Sequence, residues 1–139
     1  IKSFSMTGQR RDLNREKFKS ENLIAVLNNP ESNANKNLKY LRNAMDVRSE
    51  LKQFHPCSEM KCLSKGRSDI VVIKRSKGPE SVFAIHNMTE NKINYQLNDN
   101  DLPKIIENDF NTQDFLTSTK YNCKNISLDP FQVIWLSSL

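Results

Sequence analysis

Apolar positions along this chain change their period close to residue 56. Residues 1–19 are polar and basic with no sustained period, and read as a loop. From Ser20, placed as an N-cap, Leu23, Ile24 and Leu27 fall on one face of a short helix, which Asn28-Asn29-Pro30 stops. Residues 33–53 carry the clearest helical stripe. Leu38, Leu41, Met45 and Leu51 recur at helical spacing with Ala44 and Val47 beside them, while Lys36, Lys39, Arg42, Arg48 and Lys52 fall largely outside it. Such a stripe must cover an apolar surface, and no partner for it is evident in the rest of the chain. His55-Pro56 ends the helix, with the His55 ring at an interface.

Beyond that point the period is 2. Residues 70–75 are β-branched and strand-like, and residues 81–87 follow after the turn Ser76-Lys77-Gly78-Pro79. Ile93, Tyr95 and Leu97 alternate as a further strand. Residues 98–109 read as a polar loop. Phe115-Leu116, Ile126 with Leu128, and Val133 with Trp135 mark three more short strands, and Trp135 belongs to the apolar core. At least six strands with no helix between them predict an antiparallel β-sandwich or barrel. The β part is large enough to fold alone, whereas a loop and two helices do not easily bury their own stripe.

Composition narrows the picture. In 139 residues, 37% are hydrophobic and 27% charged, with a mean hydropathy of −0.67. The recurring Leu, Ile, Val and Phe exclude wholesale disorder. No run approaches the roughly 20 apolar residues of a membrane helix, and no secretory signal is present. The net charge of +5 is uneven: residues 1–56 hold 11 Lys and Arg against 6 Asp and Glu. These charges alternate with acids, as on a solvated helical surface. Nucleic-acid binding would need basic residues interleaved with aromatics, and this half offers only Phe4, Phe18, Tyr40 and Phe54.

Candidate chemistry is sparse. Three cysteines form no CxxC pair, and an odd count with no export signal points to a reducing, cytoplasmic compartment. Their spacing with His55 and His86 matches no zinc pattern, so no metal and no cofactor is expected. Three glycines leave no phosphate loop. His86 reads as a packed or surface histidine. Asn87-Met-Thr89 and Asn125-Ile-Ser127 match the glycosylation pattern. No catalytic residue can be assigned from these features. One segment is unusual for a loop: Thr7-Gly-Gln-Arg-Arg11-Asp12-Leu-Asn14-Arg15. Its fixed guanidinium forks and amides suit an oxygen-rich ligand, or alternatively a surface loop tied down by its own ion pairs.

These residues also carry a pattern. Thr7-Gly8 with Arg11-Asp12-Leu13-Asn14-Arg15-Glu16-Lys17-Phe18 resembles a Thr-Gly…Arg-x-Ile-Asn-Arg-x-x-(Tyr/Phe) stretch of the sucrose phosphorylase group. That group belongs to glycoside hydrolase family 13, in the α-amylase superfamily. In order along the chain, Val47–Pro56 is similar to the group's Leu-Arg…Phe-His-Pro helix end. Ile70–Arg75 is similar to a strand ending in Arg, and Ala84–Thr89 to a strand ending in Asn-(Val/Met)-(Ser/Thr). Asp114–Thr117 and Ile126–Leu136 match the last two motifs. Each motif is weak, but the set covers nearly the whole chain. Gln9-Arg10 and the long polar stretch at 98–113 depart from the pattern.

The resemblance implies an α+β fragment: the end of a (β/α)₈ barrel, loop and closing helices, over residues 1–54. A small antiparallel all-β C-terminal domain over 55–139 follows. It implies a retaining α-glucosyl phosphorylase that moves glucose from sucrose or a glucosyl glycerate or glycerol to inorganic phosphate, giving α-glucose 1-phosphate. The carboxylates that perform this chemistry lie upstream in the group, so no catalytic residue falls here. Arg15 matches the arginine that contacts the donor glucose, and Asn14 and Asp12 match its supporting loop. The implied partners are a disaccharide or glucoside substrate and phosphate, with no nucleic acid and no membrane. The alternative is a non-enzymatic β-sandwich that binds sugar or protein and carries a basic helical extension.

Overall fold

The computed structural model describes Ser5, Gly8 and residues 19–64, 66–98, 100–102 and 111–137. The chain divides into two compact units, residues 1–43 and 44–139.

In the first unit, helix α1 spans Ser20–Asn28. Ser20 is its first helical residue. Lys19 occupies the N-cap position without a side-chain cap, which corrects the placement of Ser20 as the cap. The chain then turns at Pro30. The Ser32 hydroxyl donates to Val26 O at 2.6 Å, and the Asn35 amide to Leu27 O. These bonds take up carbonyls that the end of a helix leaves without partners. Helix α2 spans Asn33–Glu50, and the unit boundary falls within it. Its stripe stays partly in solvent: Leu41 is 56% and Met45 62% exposed, while Leu38, Ala44 and Val47 are half-buried. The helix stops three residues short of the predicted end, and Lys52–Phe54 form a 3₁₀ turn.

Among its described residues the second unit has eight strands. β1 (Glu59–Cys62), β2 (Ile70–Lys77), β3 (Glu80–Asn87) and β8 (Val133–Ser137) form one antiparallel sheet in the order β1-β2-β3-β8. β4 (Ile93–Tyr95) pairs with β7 (Ile126–Leu128), and β5 (Asn111–Gln113) with β6 (Lys120–Asn122). The β2–β3 hairpin closes at Gly78, whose φ of +61° suits a residue without a side chain.

β3 lies inside the sheet, and Ser81 to Ile85 are all buried. On one face Phe83 and Ile85 join Ile70, Val72, Ile134 and Leu136. Leu97, Cys123, Ile126 and Leu128 close over them from the ribbon side. Each fully buried Ile, Leu or Phe stabilises the fold by roughly 1.5–3 kcal/mol. On the other face Ala84 pairs with Trp135, whose ring meets Phe54 of the 3₁₀ turn with centroids 4.7 Å apart. The antiparallel all-β module read from the sequence is therefore the observed one. Three strands differ from expectation: β1, whose short Met60/Cys62 alternation is wholly exposed, and β5 and β6, which carry little apolar character. Phe115-Leu116, expected as a strand, lies in the turn after β5 and Asp114.

Candidate functional site

Asp12, Asn14 and Arg15, the site residues expected from the sequence, lie outside the described residues. The structure does place most of the remaining motif residues, and it gives them structural duties.

Asp114 follows β5 and is fully buried. Its Oδ1 accepts the backbone N–H of Leu116 at 3.2 Å and of Trp135 at 2.7 Å. Its Oδ2 accepts the Thr117 hydroxyl at 2.6 Å. The backbone folds back over the same residue, with Asp114 N donating to Thr119 O and Ser118 N to Asp114 O, each at 2.8 Å. Ser118 sits at φ +62° to close this turn. The carboxylate thus ties a turn to the last strand. A buried acid with its lone pairs taken in this way offers nothing to a substrate.

Asn87 plays the matching part at the end of β3. It is 2% exposed. Its Nδ2 donates to Asn91 O at 2.7 Å and Asp129 O at 2.8 Å, and its Oδ1 accepts the Thr89 N–H and hydroxyl at 2.9 Å each. The first glycosylation triplet is thereby sealed, whereas Asn125 of the second is exposed. Past β7, Gln132 accepts the Asp129 N–H and donates to the Tyr121 hydroxyl, at 2.8 Å each. Phe131 stands in the left-handed region at φ +55° and is 65% exposed.

The segment after α2 is pinned from below. Arg75 donates to Gln53 O at 3.2 Å and to His55 O at 2.7 Å, and the Gln53 amide donates to Glu80 at 2.7 Å. His55 is exposed, and its Nδ1 accepts the Cys57 N–H at 3.2 Å. His86 is half-buried in β3, and burial pushes its imidazole below the ordinary range. No hydrogen bond joins either histidine to a carboxylate, hydroxyl or thiol among the described residues. Cys57 and Cys62 are exposed and in no disulfide. Cys123 is buried, and burial pushes its thiol up to about 11. No three His, Cys, Asp or Glu side chains among the described residues could hold a metal ion, and no described helix is long and apolar enough to cross a membrane. The Trp135 indole N–H is buried with no acceptor among the described residues.

Two shallow clefts flank the main sheet. One, of about 350 Å³, is lined by Arg67, Asn94, Tyr95, Gln96, Lys124 and Asn125. Arg67 lies 5.7 Å over the Tyr95 ring and is held by Asp69, and the guanidinium keeps the Asp69 carboxyl below the usual range. The other, of about 390 Å³, lies between the end of α2 and the β2–β3 hairpin and includes Arg48, Lys52, His55 and Lys77. Sequence reading assembled neither, because each joins residues about 30 positions apart.

Comparison with known proteins adds the fold context. No family model matches the chain, and no curated relative is found. Among solved structures, it is similar to a trehalose-6-phosphate hydrolase of Bacillus licheniformis. The TM-score is 0.60 at 16% identity, covering 82% of this chain and 20% of that one. It is similar to a trehalulose synthase variant in complex with the substrate sucrose, with a TM-score of 0.62 at 13% identity over 82% and 19%. An Anoxybacillus α-amylase matches at 0.60 and 15% identity over 78% and 23%. These neighbours are enzymes of the α-amylase family. At such identities the likeness is one of fold, and the chain spans about one fifth of their length.

Proposed function

We propose that this chain is the C-terminal part of a glucoside-processing enzyme of the α-amylase superfamily, and that the enzyme is a retaining α-glucosyl phosphorylase. The observation that carries the first half is the coverage: 82% of this chain matches one fifth of a trehalose-6-phosphate hydrolase. Supporting it, Leu41 and Met45 of the α2 stripe lie in solvent, as expected of a helix whose partner is a preceding barrel. The phosphorylase half rests on the ordered motifs from Thr7-Gly8 to Ile126–Leu136.

In this reading residues 1–54 close the barrel, and the β unit props its last helices. The chain supplies no catalytic carboxylate. An upstream Asp attacks the donor glucose from one side while an upstream Glu protonates the leaving oxygen. Inorganic phosphate then takes the glucosyl group with retention. Arg15 donates to hydroxyls of the donor glucose, with Asn14 and Asp12 holding its loop. Loops at the C-terminal ends of barrel strands are where such contacts are made.

The test is an assay of the complete enzyme for phosphate-dependent release of glucose 1-phosphate from sucrose, glucosylglycerate and glucosylglycerol. Release from one of the three supports the phosphorylase. Hydrolysis or isomerisation with no phosphate requirement keeps the superfamily and removes the phosphorylase. No activity on any glucoside favours the sugar- or protein-binding module.

A further inference from the structure

Positive charge gathers unmatched at one place on the β unit. Several cations elsewhere are answered: Lys61 pairs with Asp101, Lys92 with Asp129 and Arg67 with Asp69, while Lys74 donates to Asp101 O; Lys120 stands apart from the cleft. Around the 390 Å³ cleft, the side chains of Arg48, Lys52 and Lys77 make no ion pair or hydrogen bond with a described residue. They come from three elements: the last turn of α2, the 3₁₀ turn and the end of β2. The negative end of the helix dipole accounts for Arg48, but not for Lys52 and Lys77.

Several acceptors of the cleft wall are already taken. Lys52 O accepts the His55 N–H at 3.1 Å and the Ser58 hydroxyl at 3.0 Å. Gln53 O and His55 O are taken by Arg75, which adds a further positive charge beneath the turn. With His55 Nδ1 occupied as an acceptor, the neutral ring carries its proton on Nε2, a further donor. Two acids oppose this. Glu50 lines the cleft, and Glu80, across the hairpin from Lys77, is engaged by the Gln53 amide. Phe54, fixed on Trp135, supplies an apolar patch on the same wall. A concave surface lined mainly by one sign of charge concentrates ligands of the other sign.

We propose that this cleft binds the phosphoryl group of a small molecule, with Arg48, Lys52 and Lys77 as its cationic ligands. Its volume is at the lower end of small-molecule pockets, which suits a phosphate monoester of sugar size or free phosphate. The proposal does not depend on the phosphorylase reading, since none of these residues belongs to the loop around Arg15.

The test is amide chemical-shift mapping on the full 139-residue chain at fixed ionic strength, titrated separately with orthophosphate and with a hexose 6-phosphate. Saturable shifts confined to residues 48–56 and 77–80 are expected. Comparable saturation by both probes assigns the site to free phosphate, and tighter saturation by the ester assigns it to an organic phosphate; either supports the proposal. Lys52→Glu with Lys77→Glu should weaken binding by about tenfold or more, whereas Lys120→Glu, outside the cleft, should leave it unchanged. Three results would overturn it: shifts scattered over lysines across the whole surface, an unchanged affinity in the double variant, or saturation by a single-stranded oligonucleotide and by neither phosphate probe.

Discussion

The Asp114 carboxylate accepts the backbone N–H of Trp135 at 2.7 Å, joining a turn to the last strand of the sheet through one buried charge. The same oxygen accepts Leu116 N–H, and its partner oxygen accepts the Thr117 hydroxyl. Asp114→Ala removes the acceptor of the Leu116 and Trp135 N–H groups, while the exposed Thr117 hydroxyl keeps Thr119 Oγ1 at 2.9 Å, and an expected loss of about 2 kcal/mol follows from the lost buried bonds. Asp114→Asn keeps one carbonyl acceptor and should lose less. Urea unfolding of the three chains measures this. An Asp114→Ala chain within about 0.5 kcal/mol of the parent, the range of ordinary surface changes, would refute the structural role.

The three thiols should separate cleanly by reactivity. Cys57 and Cys62 are exposed, whereas burial pushes the Cys123 thiol up to about 11. Thiolate is the reactive form, so an aromatic disulfide reagent near pH 8 should titrate two thiols quickly and the third only on unfolding. Three equally fast thiols would show that Cys123 is not in the core.

His86 gives the fold a pH dependence whose sign is fixed. Burial lowers its pKa from 6.5. As the pH falls, the unfolded chain takes up the proton first. The His86 contribution is therefore complete above 6.5 and declines as the pH drops through 6.5 towards the folded value. Urea midpoints at about pH 7.5 and pH 5.5 should differ in the parent and differ less in His86→Gln. An equal difference in both would assign the effect to other groups.

In the complete enzyme, Arg15→Ala should lower kcat/KM for the glucosyl donor by about 10²-fold. Losing a charged hydrogen bond to a substrate hydroxyl costs on the order of 2–4 kcal/mol. Unchanged donor kinetics would remove Arg15 from the substrate site.

The legible parts of this fold are those where burial writes a pattern. β2 and β3 announce themselves because Ile70, Val72 and the run Ser81–Ile85 are buried, and the Gly78 turn between them has its own chemistry. β1 is hard to read in the sequence because its Met60/Cys62 alternation spans only four residues, Glu59–Cys62, and all of them are exposed. Lys120-Tyr-Asn122 likewise forms β6 with a single half-buried side chain. Phe115-Leu116 looks like a strand but follows Asp114, whose carboxylate captures Leu116 N–H and bends the chain. The ordered motifs were readable as a set, and within them Asp114 and Asn87 hold turns. The site residues Asp12, Asn14 and Arg15 lie outside the described residues, so their expected roles rest on the sequence. The cationic cleft was hidden because Lys77 reaches Arg48 and Lys52 only through the fold.

If this chain completes a barrel enzyme, the coding sequence upstream of Ile1 carries the rest of it, and reading that sequence is the decisive measurement. The expected result is an open frame encoding the rest of a (β/α)₈ barrel, with a nucleophilic Asp, an acid/base Glu and a third carboxylate on its strand ends. A stop codon, or an unrelated domain joined in frame, would contradict it.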